Sequence, residues 1–132
     1  MLHCSATRSN TRYTFADCKR DHVENQHWSD IGYHYYIEKD GKLFKGRNLE
    51  IPGAHCEKHN QHSIGICYEG GLDEEGNYAD TRTPEQCDTL FDLLITLKQQ
   101  FPKARIYGHY EFNSTKHCPC FDVDEYRVIF NE

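Results

Sequence analysis

The sequence has no apolar stretch long enough to cross a bilayer, where a spanning helix needs about 20 predominantly apolar residues, so membrane insertion is not expected. It also has no basic cluster longer than Lys19-Arg20, and its net charge is -6. Phosphate-backbone binding depends on grouped Lys and Arg, so a nucleic-acid partner is excluded. No internal repeat, low-complexity tract or linker divides the 132 residues. A chain of this length buries about two thirds of its unfolded surface around one core, so a single domain over 1–132 is expected. The start, Met1-Leu2-His3-Cys4, lacks the basic and apolar segments of a secretory signal, which implies synthesis in the cytoplasm. The cysteines number seven, which is odd, and that argues against a full disulfide framework.

What is present reads as alternating helices and strands. A very short strand ends near His3, and a helix is expected from Phe15 to Asn25 with Thr14 as N-cap. Tyr33 to Glu38 is rich in aromatic and β-branched residues, and Asp40-Gly41 then supplies a two-residue turn before Leu43-Phe44. Pro52-Gly53 marks a loop, Ser63 to Tyr68 a strand, and Glu69 to about Arg82 an acidic, Gly-rich loop. The clearest helix runs from Pro84 to Phe101, with Thr83 as N-cap and Gln86 completing a capping box. Cys87, Leu90, Phe91, Leu94, Leu97 and Phe101 recur on it at helical spacing and form its buried face. Ala104 to Gly108 reads as a buried strand, and Asp122 with Glu125 caps a short last helix. The expected fold is α/β: a mixed central sheet, partly parallel with one antiparallel hairpin, carrying helices on its faces.

Function has to be argued from a site rather than from this fold. The last loop offers His109, His117, Cys118 and Cys120 just after a predicted strand, and His3 ends another. A hydrolytic zinc site needs three ligands drawn from His, Cys or carboxylate and one position open to water. The spacing is not that of a zinc finger. Two other readings stay open: solvated histidines beside loop thiols, or a closed structural site of Cys118 and Cys120 with two histidines. His34 alternates with Tyr33 on its strand, faces the other side and reads as structural.

Several segments together resemble the type 2 N-acetylmuramoyl-L-alanine amidases, the phage lysozyme-type enzymes and their relatives, the peptidoglycan recognition proteins. They are His3-Cys4-Ser5-Ala6-Thr7, Gly32-Tyr33-His34-Tyr35, Gly53-Ala54-His55, Asn60, Ser63-Ile64-Gly65-Ile66, Gly108-His109-Tyr110-Glu111 and Lys116-His117-Cys118-Pro119. The resemblance spans His3 to about Val123. It implies one Zn²⁺ per chain on His3, His109 and Cys118, with Tyr33 and Lys116 as catalytic partners and His55 and Asn60 in the substrate groove. Two neutral imidazoles and a thiolate would leave the zinc a net charge of about +1. The activity implied is hydrolysis of the amide between the lactyl group of N-acetylmuramic acid and L-alanine, by a monomer acting on the cell wall. The alternative is a non-catalytic peptidoglycan-binding module on the same scaffold. An acidic surface is not steered toward an anionic wall, so affinity must come from short-range groove contacts. Cys120 departs from the family pattern, and oxidation to a Cys118–Cys120 disulfide is an expected route to inactivation.

Overall fold

The computed structural model describes all residues, 1–132. A four-stranded sheet in the order β1-β5-β3-β4 forms its centre, built from β1 (Leu2–Cys4), β3 (Tyr35–Ile37), β4 (Leu43–Lys45) and β5 (Ile66–Tyr68). β1 and β3 each run parallel to β5, and β3 pairs antiparallel with β4. The expected mixed sheet with one hairpin is therefore what forms. Gly41 sits in the hairpin turn at φ 86°, a conformation that glycine adopts without steric cost, and Asp40 accepts from the Lys42 N–H. A separate parallel pair, β2 (Thr7–Arg8) with β6 (Gly71–Leu72), extends the β1–β5 pairing past the sheet.

One face of the sheet is covered by α2 (Pro84–Gln100). Leu2, Cys4, Tyr35, Ile37, Ile66 and Tyr68 meet Leu90, Leu93, Leu94 and Leu97 of this helix in the larger core. Truncating one of these leucines to Ala should cost about 2–5 kcal/mol. Thr83 and Gln86 form the expected capping box. Gln86 is itself buried and its amide donates to the carbonyls of Ile37 and Glu69, so the cap also ties the helix start to two strand ends. Cys87 and Phe101, expected on the buried stripe, are only partly covered or exposed, because the stripe runs instead through Leu90, Leu93, Leu94 and Leu97. No helix is long and apolar enough to cross a membrane.

The opposite face carries His3, Tyr36 and Cys67, of which Tyr36 and Cys67 pack with Cys18 and Ile31. Cys18 belongs to α1 (Phe15–Arg20), which Thr14 and Asp17 cap reciprocally. The expected helix to Asn25 does not continue as α: from Asp21 to Asn25 it widens into a π-turn. Two further expectations differ. Ala104 to Gly108 forms no buried strand; Ala104 and Arg105 are exposed and only Gly108 makes a bridge, to Leu2. The last helix, α3 (Asp124–Ile129), starts at Val123 without a capping box, because Glu125 turns away to pair with Arg82.

Between the two faces lies a buried carboxylate. Glu69, fully buried at the end of β5, accepts from the Arg12 guanidinium at 3.1 Å and from the backbone N–H groups of Tyr13 at 2.6 Å and Lys39 at 3.0 Å. It thereby ties the segment before α1 to the hairpin.

Candidate metal centre and active site

His3 occupies the middle of β1 and is 1% exposed, on the face away from α2. The bridge from Leu2 to Gly108 brings the following residue, His109, alongside it, with ring centroids 4.5 Å apart. Cys118 arrives from the last loop, where its Sγ accepts the Cys4 N–H at 3.0 Å. The loop is pinned on both sides, by Tyr110 N–H donating to the Cys118 carbonyl and by the Tyr68 hydroxyl donating to that of Pro119. One ligand atom from each of His3, His109 and Cys118 lies within 4.8 Å of the others. Residues separated by more than a hundred positions are thus joined by one strand and two backbone contacts.

Electrostatics favour metal binding here. The His3 pKa is held well below that of an ordinary imidazole, first by burial and then by the neighbouring His55 and His109. That of His109 is lowered by burial and by the Lys116 charge. Both rings are therefore neutral with a lone pair available, the state a metal requires. Two imidazoles, one thiol and no carboxylate form a donor set suited to zinc, and the cluster has three members, as a site with an open position requires. The closed four-ligand alternative finds no support. Cys120, at φ 69°, turns its sulfur toward Cys4, 3.8 Å away, and stands outside the cluster. The Cys4 and Cys120 sulfurs are thus in contact, which makes Cys4–Cys120 a pairing open to oxidation.

Tyr33 lies beside the cluster, its ring centroid 5.2 Å from that of His3. Burial, followed by the nearby sulfurs of Cys67 and Cys118, raises its pKa well above the usual phenol range, so it is a neutral hydroxyl at physiological pH. Lys116 is exposed, two residues before Cys118, and its charge reaches both His3 and His109. His34 uses both ring nitrogens on backbone, at Gly65 N–H and Ile51 carbonyl, in keeping with a structural role.

His55 and Asn60, expected to line the substrate groove, sit on the turn before β5, and Asn60 lines a cavity there. His55 is 9% exposed and stands behind His3, with its Nδ1 2.8 Å from His3 Nε2 and its Nε2 3.3 Å from Ser63 Oγ. Burial first, then the neighbouring positive charges, lower its pKa to about 3. Asn60 Oδ1 accepts the N–H groups of His55 and Cys56, both at 2.9 Å, so it shapes the turn that carries His55. Sequence reasoning also missed His22. In the π-turn, its Nδ1 accepts the Gly32 N–H at 2.8 Å and its ring lies 5.7 Å from Tyr33, so it helps to hold the Gly32-Tyr33 segment. A π-turn at a site is the one local signal, and it has no sequence signature. A cavity of about 620 Å³ is lined by Leu49, Asn60, Ile64, Leu97 and Ile106 among others and includes none of the three donors. The donor chemistry locates the site better than cavity size does.

A mixed sheet with a His-His-Cys cluster at its first strand defines an α/β protein with a candidate metal site. The comparisons agree with that class. A family described as N-acetylmuramoyl-L-alanine amidase matches residues 1–121. The chain is 37% identical to the endolysin of Enterobacteria phage K11 over 125 residues, covering 95% of this chain and 82% of the endolysin. Among solved structures, the N-acetylmuramoyl-L-alanine amidase LysC from Clostridium intestinale URNW superposes with a TM-score of 0.77 at 28% identity, over 98% of this chain and 82% of LysC. Drosophila PGRP-LB matches with a TM-score of 0.73 at 25% identity, over 89% of this chain and 71% of its own. The chain belongs to the N-acetylmuramoyl-L-alanine amidase family.

Proposed function

We propose that this protein hydrolyses the amide bond between the lactyl group of N-acetylmuramic acid and the L-alanine of the peptidoglycan stem, as a monomer that binds one zinc ion through His3, His109 and Cys118. The observation that carries the reading is the convergence of these three donors, with Tyr33 beside them, in a chain of this family. A zinc ion in such a donor set supplies Lewis acidity, which makes water nucleophilic near neutral pH and polarises a carbonyl.

The chain's own groups do the rest. Tyr33, kept as a phenol by burial, donates a hydrogen bond that orients the attacking water. The Lys116 ammonium faces the carbonyl oxygen and stabilises the negative charge that develops there as the amide carbon becomes tetrahedral. The alanine nitrogen leaves as an amine after gaining the proton that the attacking water gives up. The segment before β3 carries Tyr33, and backbone contacts at Cys118 and Pro119 pin the loop that carries Lys116.

A binding-only module on this scaffold would have no task for the donor cluster or for neutral, buried imidazoles beside a thiol. The two readings part in a digestion of purified peptidoglycan with and without a chelator. Amidase action releases new amino groups, yields no new reducing sugar ends and stops on chelation. Undiminished binding with no amine release would establish the module instead.

A further inference from the structure

We propose that His55 is the positioning residue of His3: it fixes His3 as the Nε2–H tautomer and so leaves the Nδ1 lone pair of His3 for the metal. This rests on the zinc reading above.

The assignment follows from counting protons along a chain of hydrogen bonds. The Ser63 hydroxyl has one hydrogen, and it is committed to the His59 carbonyl at 2.6 Å. At the other side of the same oxygen lies His55 Nε2, 3.3 Å away. Ser63 can only accept there, so His55 carries its proton on Nε2. A neutral imidazole with a proton on Nε2 has a bare nitrogen at Nδ1, and that nitrogen faces His3 Nε2 at 2.8 Å. Two bare nitrogens would repel at this distance, so His3 must donate from Nε2. Its Nδ1 then has no proton and is the nitrogen left to ligate. A fixed backbone carbonyl, three hydrogen bonds away, thus dictates which nitrogen of His3 is presented, the usual task of an outer partner of a ligating histidine.

The structure holds the His55 ring firmly for this purpose. A Cβ on Gly65 would come within 2.6 Å of the ring's Cδ2, and one on Gly53 within 2.7 Å. Only glycine at both positions lets the ring sit between the two strands of backbone. Asn60, by accepting the His55 N–H, fixes the main chain that carries the ring. The Gly53-Ala54-His55, Asn60 and Ser63-Ile64-Gly65 segments form one device for aiming a second histidine.

The test is made on the full chain in two ways. Competition against a chromogenic chelator measures zinc affinity for the wild type, His55→Asn and His55→Phe. Asn places a carbonyl oxygen near the position of Nδ1 and keeps the acceptor, whereas Phe keeps a flat ring between the glycines and removes it. The Phe variant should bind zinc about 10- to 100-fold more weakly, and the Asn variant should return to within about threefold of the wild type. Ring ¹⁵N chemical shifts of the metal-free wild type, near pH 7.5, should show His3 and His55 each protonated at Nε2 alone. A proton on His3 Nδ1, or equal zinc affinity for the Phe variant and the wild type, overturns the proposal. Failure of the wild type to bind zinc would sink the zinc reading instead, and the ¹⁵N assignment would still decide the pairing.

Discussion

Acidification should destabilise the metal-free protein through its buried histidines, and the contribution of His55 can be sized. Its pKa is about 3 in the folded chain against 6.5 for a free imidazole, chiefly because burial penalises the charged ring. Above pH 6.5 the ring is neutral whether the chain is folded or not, and its full contribution to stability is present. Below that value the unfolded chain takes up a proton that the folded chain refuses, so stability falls with pH until the folded pKa is reached. Each unit in this window removes about 1.4 kcal/mol, so descent to about pH 4.5 costs on the order of 2–3 kcal/mol from His55 alone. That is a large share of the 5–15 kcal/mol, roughly, that stabilises an ordinary domain. His3 and His109 are shifted in the same direction and steepen the loss.

Urea unfolding of the metal-free wild type and of His55→Asn, each at about pH 7 and about pH 4.5, isolates the effect. Asn does not titrate, and the carboxylates titrate alike in both proteins and cancel. The variant should lose about 2–3 kcal/mol less than the wild type on acidification, whatever its starting stability. Equal losses would refute the claim that His55 is buried as a neutral ring.

Other consequences follow from the same geometry. Cys118→Ser should abolish stoichiometric zinc binding and amide hydrolysis together, because a neutral hydroxyl does not replace a thiolate; retained zinc measured by atomic absorption would count against the ligand set. Cys120→Ser should leave zinc content unchanged, since its sulfur lies 3.8 Å from Cys4 and outside the cluster. Peroxide treatment should accordingly yield a Cys4–Cys120 disulfide in peptide mapping, two thiols and one peroxide giving the bridge and two waters, and no Cys118–Cys120 bridge. Tyr33→Phe should reduce turnover about 10²- to 10⁴-fold with the melting temperature nearly unchanged, which kinetics and calorimetry together check. Glu69→Gln should cost about 3 kcal/mol in urea unfolding, because a buried carboxylate that accepts from Arg12, Tyr13 and Lys39 is replaced by an amide with one oxygen.

The elements that were legible in the sequence are those whose causes are local. Asp40-Gly41 specifies the hairpin through turn chemistry, and Thr83, Pro84 and Gln86 specify the start of α2 through capping. The π-turn at Asp21–Asn25 has no comparable marker, so the helix was expected to continue. Ala104 to Gly108 has a strand-like composition but finds only one partner position, at Leu2, and stays irregular. Composition and spacing left the donor cluster open, because His3 meets His109 and Cys118 only through the parallel bridge from Leu2 to Gly108 and a loop that returns across the sheet edge. The whole pattern of segments, and not any one of them, pointed to those three residues. His55 shows the opposite difficulty. The resemblance put it in the substrate groove, and its burial, its contact with His3 and the two glycines pressed against its ring show that it is turned inward.

The most direct measurement of the central claim is titration of zinc into metal-free protein while it acts on a defined muropeptide of N-acetylmuramic acid and stem peptide. Release of the alanine amine should rise linearly with zinc and level off at about one equivalent per chain, with the sugar product intact. Full activity in the metal-free protein, or a product with a new reducing end and an uncut lactyl amide, would contradict it.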